Sequence, residues 1–157
     1  MSKLRLGVVT EIDPAQAKAR VRFPDHDGVV SWWLQVLQQR TKADKTYWMP
    51  AAGEHVVTLM DEHEEAGVVL GSIYSAADRP PVSDPQIHRI QYGDGASLTY
   101  DKGARAFTFV TGGTSVRISP EGVAVSGPSL AHNGVNVGAD HVHAGVSRGD
   151  AKTDGPS

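Results

Sequence analysis

The sequence predicts an all-β protein in two parts: a small closed barrel, then a run of very short strands with little to bury. Three observations carry this. Glycine is frequent, at 17 of 157 residues, and helix-favouring runs are scarce. In the first half, polar turns separate segments whose apolar residues alternate with the period of a half-buried strand. After Phe109 no aromatic residue follows, so the C-terminal third has few large side chains from which to build a core.

The strands of the first half follow in order. Leu6 to Thr10 is the first, stopped by the turn signal Asp13-Pro14. Ala17, Ala19, Val21 and Phe23 alternate with Lys18, Arg20 and Arg22, which predicts a second strand with one buried face. Pro24 to Gly28 is a polar turn, and Ser31 to Leu37 resumes as an aromatic and aliphatic strand. The loop Gln38 to Thr46 leads through Trp48-Met49-Pro50 to a strand at His55 to Met60. The acidic turn Asp61 to Ala66 precedes a last strand at Gly67 to Tyr74. Five short strands in about eighty residues suit a barrel whose closure removes free edges, and an OB-fold is the natural candidate.

Pro80-Pro81 ends this pattern, because consecutive prolines cannot continue a sheet ladder and favour an extended connection. The expected division is therefore 1–79 for the barrel, 80–85 for a linker, 86–138 for a shaft and 139–157 for a tip. Within the shaft, Ser97 to Tyr100, Ala106 to Thr111, Ser115 to Ser119, Gly122 to Ser126 and Gly134 to Gly138 alternate between tight turns. Each segment holds only two or three apolar residues per face, such as Phe107/Phe109, Val116/Ile118 and Val123/Val125. So little apolar surface cannot offset the conformational entropy of folding in one chain alone. Either the segment is disordered or its apolar faces meet copies of themselves. Disorder requires no periodicity, so the regular alternation favours a self-associating β-prism or β-helix. The side chains shrink from Phe to Ile to Val towards the C-terminus, as in a tapering object.

Charge and composition exclude other classes. The net charge is −3; residues 1–84 carry nine Lys/Arg against twelve Asp/Glu, and residues 85–157 six against six. Neither half offers the basic stripe on which phosphate-backbone affinity depends, so no nucleic-acid partner is expected. Without cysteine, rigidity must come from packing, metal or oligomerisation. Met1 to Gly7 lacks the apolar core of a signal peptide, and no stretch approaches the roughly 20 apolar residues of a membrane span. Any membrane contact is expected to be transient.

Several blocks resemble the phage baseplate assembly protein V family, the central spikes of contractile tails, which are similar to the spikes of R-type pyocins and type VI secretion. They are Gly7-Val8-Val9 with Ala19 to Asp25, Trp33 to Leu37, Trp48-Met49-Pro50 with Gly53 to Val56, and Gly67 to Tyr74. His141-Val142-His143 with Gly149 and Thr153 to Pro156 resembles the family's tip signature. The order and spacing of the blocks are more specific than any one of them. The resemblance implies an N-terminal OB-fold, a C-terminal intertwined trimeric β-helix and a tip iron held by His-x-His from three chains. It also implies a homotrimer seated on the baseplate hub and tail tube of a virion, assembled in the host cytoplasm, that pierces the host outer membrane. The short chain implies a short needle, and no lysozyme-like insertion is present.

In an extended strand His141 and His143 project to one side while Val142 points away. Two imidazoles hold a metal weakly, but three chains around a three-fold axis supply six. Structural zinc prefers four ligands, so six nitrogen donors favour iron over zinc. A saturated shell leaves no position for substrate, which makes the expected site structural. Without the needle, the pair would read as two exposed histidines on a tail. His26, His55, His63, His88 and His132 read as surface or turn residues, with His132 close to the tip.

No enzyme is expected. A cupin site would need a glutamate and a third histidine after His-x-His, and Ala144 to Ser157 contains neither. Gly112-Gly113-Thr114-Ser115 lacks the setting of a hydrolase nucleophile, and Asp61, Glu62, Glu64 and Glu65 read as a solvated turn. The alternative function is an OB-fold binding module for single-stranded nucleic acid or carbohydrate with a metal-binding tail. In that reading Trp32, Trp33, Tyr47 and Trp48 offer stacking surfaces. Without a basic groove, these aromatics are expected in the barrel core and at inter-subunit contacts instead.

Overall fold

One long strand closes the first half of the chain. In the computed structural model, which describes residues 1–139, 141, 142 and 145, the chain divides into two units, Met1–Pro80 and Pro81–Ser157. The first unit contains β1 (Lys3–Asp13), β2 (Lys18–Phe23), β3 (Val29–Val30), β4 (Leu34–Val36), β5 (His55–Met60) and β6 (Gly67–Ser72). β1 pairs antiparallel with β5 from Lys3 to Val8 and with β2 from Val8 to Asp13. A bulge between Val9 and Glu11 lets it bend from one neighbour to the other. The circuit β1-β2-β4-β6-β5-β1 is complete, and β4–β6 is its parallel pair. This is the expected OB barrel: five strands, Greek-key connections and no free edge within the circuit.

The interior is lined by Val9, Ala19, Val21, Phe23, Leu34, Val36, Val56, Met60 and Val69. Each fully buried Val, Leu or Met side chain stabilises by about 1.5–3 kcal/mol relative to exposure. Gly7 marks the tightest approach, since a Cβ there would lie 2.3 Å from Val21 Cγ1 and 2.8 Å from the Arg22 carbonyl oxygen.

The structure corrects three details of the sequence reading. Ala17 belongs to the turn, at φ 52, because Asp13 Oδ1 accepts the Ala15 and Gln16 amides and curls the chain before β2 begins. The third strand shortens to Leu34–Val36, since Ser31 bonds β2 from outside the regular ladder. Its amide donates to the Val21 carbonyl, and its hydroxyl accepts the Val21 amide at 3.0 Å. Trp32, Tyr47 and Trp48 are 60–72% exposed rather than core residues, so the barrel interior is filled by aliphatic side chains with Phe23 and Met60.

The second unit is an antiparallel meander. Its strands are β7 (Ile87–Gln91), β8 (Ser97–Asp101), β9 (Ala106–Thr111), β10 (Thr114–Ser119) and β11 (Gly122–Ser126), each paired with the next. The hairpin β12 (Ala131–His132) and β13 (Val135–Asn136) follows, turning at Asn133 and Gly134 with φ of 49° and 80°. Positive φ at both positions is the signature of a type I′ hairpin turn. β7 escaped the sequence reading because His88, Arg89 and Gln91 mask its two isoleucines.

Candidate functional site

The registers of the meander put most of its large apolar residues on one face. Cross-strand neighbours run His88, Tyr100, Phe107, Ile118 and Val123 in one row, and Ile90, Leu98, Phe109, Val116 and Val125 in the next. The opposite face carries Arg89, Thr99, Thr108, Arg117 and Ala124 in register. Nothing among the described residues covers the apolar rows at their outer end: Phe107, Phe109, Ile118, Val123 and Val125 remain 44–67% exposed. Tyr100 and Phe107 pack ring to ring with centroids 4.5 Å apart, yet the only buried residues of the sheet, Ala106 and Ser97, lie on the opposite face. An amphipathic sheet with a continuous exposed apolar face is a surface built for association.

The barrel unit also carries apolar residues outward. Leu4 and Leu6 on β1 stand beside Leu59 and Val57 on β5, and Leu4, Leu6 and Leu59 are exposed. A second exposed group, Leu37, Trp48, Ile73 and Tyr74, lies along two shallow clefts that share Glu54 and Ser72. Of the candidate stacking residues, Trp32, Tyr47 and Trp48 are at the surface and Trp33 is half-buried. Tyr47 donates its hydroxyl to the Pro14 carbonyl at 3.3 Å, while Trp48 exchanges backbone bonds with the Gln38 side chain.

Beyond the meander the chain narrows to a hydrogen-bonded turn. Val137 N–H donates to the Leu130 carbonyl, continuing the β12–β13 pairing by one step. Asn136 Oδ1 accepts the Gly138 amide at 2.8 Å. The Gly138 carbonyl in turn accepts the His141 amide at 3.2 Å and lies 2.7 Å from His141 Nδ1. One nitrogen of the His141 ring is therefore bound to backbone, the support that metal-ligating imidazoles commonly have. His143, the other candidate ligand, lies outside the described residues. Among the described residues no three His, Asp or Glu side chains gather at a metal-holding distance.

The acidic turn does more than meet solvent. Glu64 receives two bonds from Arg5, at 2.9 Å from Nε and 2.7 Å from Nη2, and one from Lys3 Nζ at 2.6 Å. Arg5 also reaches Asp25 at 3.2 Å, and His26 Nε2 stands 3.8 Å from Glu64. The guanidinium and ammonium hydrogen bonds hold the Glu64 carboxyl down at about 2, and the same pairing raises the Arg5 pKa. This cluster joins β1 to the β2–β3 and β5–β6 turns. Its residue types appear in the sequence, but their convergence does not, since about sixty positions separate Arg5 from Glu64. Gly112-Gly113 forms the tight turn between β9 and β10, where Thr111 faces Thr114.

A known family and a known protein each match part of the chain. Residues 5–74, which take in nearly the whole barrel, match the Type VI secretion system/phage-baseplate injector OB domain family. Over 107 residues the chain is 34% identical to the spike protein of Escherichia phage P2, a match covering 67% of this chain and 49% of that protein. The chain belongs to the phage baseplate spike family. Membership places this spike-family chain at the tail baseplate of a virion. It spans about half the length of the curated relative it matches.

Proposed function

We propose that the chain is one protomer of a trimeric central spike that is driven through the host outer membrane when a contractile tail fires. The observation that carries this reading is the uncovered apolar face of the meander, joined in one chain to an injector OB domain. Three copies would turn these faces towards a common axis and bury against one another what one sheet leaves exposed. Hydrogen bonding between chains would remove the free edges at β7 and β11 and stiffen the needle. The barrels would form a collar on the baseplate hub at the end of the tail tube, with the exposed Leu4, Leu6 and Leu59 group available for such contacts. Sheath contraction supplies the force, so the reading assigns the spike no catalytic step.

At the tip, His141 and His143 of three chains would hold one iron ion. Six imidazoles suit iron better than the four-coordinate sites of structural zinc, and the backbone-held ring of His141 is compatible with ligation. The ion would supply a cross-link between chain ends, where apolar burial is thinnest. Sedimentation equilibrium should return a trimer that survives dilution, whereas a stable folded monomer would sink the reading. Elemental analysis should find about one iron per three chains, the ratio that six imidazoles per ion require. Replacing both His141 and His143 by Ala should remove it.

A further inference from the structure

We propose that Asn136 and Gly138 are positioning residues that hold the His141 ring in one tautomer, with the lone pair on Nε2 for the metal. The inference rests on the tip-metal reading above and adds how this chain prepares the ligand. A carbonyl oxygen can only accept, so at 2.7 Å from the Gly138 oxygen the Nδ1 of a neutral His141 must carry the proton. The ring's electron pair then lies on Nε2, and the nitrogen that ligates is set by the bond the other makes. Free imidazole side chains do not favour this tautomer, so the turn has to impose it.

The turn is built to do so. Gly138 sends its carbonyl to both the His141 amide and the His141 ring, and its own amide is fixed by Asn136 Oδ1 at 2.8 Å. Asn136 is itself anchored in the β12–β13 hairpin opposite Ala131. The chain of support therefore runs from hairpin to Asn136, to the Gly138 peptide, to the ring. Losing the side-chain oxygen of Asn136 frees the peptide to rotate and the imidazole with it, while the meander upstream is untouched.

The test uses the full chain with histidine labelled in nitrogen-15. In metal-free protein above pH 8, long-range proton–nitrogen correlation should show His141 as the Nδ1–H form. Asn136→Ala should mix in the Nε2–H form, and Asn136→Asp, which keeps the accepting oxygen, should restore the original. In iron-loaded protein, Asn136→Ala should release metal to a chelator about 10–100-fold faster, the range expected for an outer-shell partner. Light scattering should show the same assembly for all three proteins. A wild-type His141 in the Nε2–H form would overturn the proposal, as would an Asn136→Ala protein with unchanged tautomer and release rate. Wild-type protein with the Nδ1–H form but no bound metal would instead overturn the tip-metal reading, and with it the purpose assigned to the turn.

Discussion

Glu64 is the residue on which the barrel's outer polar contacts converge. It sits at φ 62, a left-handed conformation that costs a side-chain-bearing residue roughly 1–2 kcal/mol, and its bonds to Arg5 and Lys3 offset that cost. Its carboxyl titrates at about 2 when folded and near 4.5 otherwise, so the folded state favours the ionised form. The stabilisation is complete above pH 4.5 and is lost as the pH falls towards 2. Glu64→Gln should therefore lower the melting temperature at pH 7, and the gap from wild type should close by about pH 2 in thermal scans. A gap that persists undiminished at that pH would refute the role. In the sequence, Glu64 is one of four acids in a turn and nothing distinguishes it. Only the fold brings Arg5 to it.

At the scale of elements, the barrel depends on close approach as much as on burial. Gly7 lies mid-strand, where glycine ordinarily weakens a sheet, and a methyl group there would collide with Val21 and the β2 backbone. Gly7→Ala should destabilise the protein by about 1–3 kcal/mol in urea unfolding, although alanine is the better strand residue. Leu34→Ala, which empties the centre of the barrel, should cost about 2–5 kcal/mol in the same measurement. The boundaries of β5 were legible to the residue, because a short, mostly apolar run there meets turn residues at both ends. Those of β1 and β4 were not. β1 runs on to Asp13 by serving two partners, and β4 stops early because Ser31 replaces a ladder position with a side-chain bond.

At the scale of the whole molecule, assembly should follow the meander's apolar face. Phe109→Asp places a charge in the middle of the Leu98–Phe109–Val116–Val125 row and should convert the assembly to monomers in light scattering. Ala124→Glu introduces the same sign of charge on the opposite face, beside Arg117, and should leave the assembly unchanged. If both variants stayed assembled, the apolar face would not be the contact. A chain ending at Ser83 should keep the barrel and lose the association, which circular dichroism and sedimentation would report together.

The sequence by itself determined the all-β class, the five-strand barrel, the amphipathic character of the later strands and the pairing of candidate ligands at His141 and His143. These are local properties: alternation, turn residues and motif spacing act over a few positions. The tertiary structure decided what depends on partners distant in the chain. It closed β1 onto two neighbours, sent the tryptophans at 32 and 48 to the surface, and drew Glu64 to Arg5. Cross-strand register aligned ten side chains of the meander into one face, exposed from Phe107 and Phe109 outward to Val123 and Val125. The histidine that opened the case for a metal tip proved to rest on a backbone carbonyl three residues before it, a bond that only a folded turn can make.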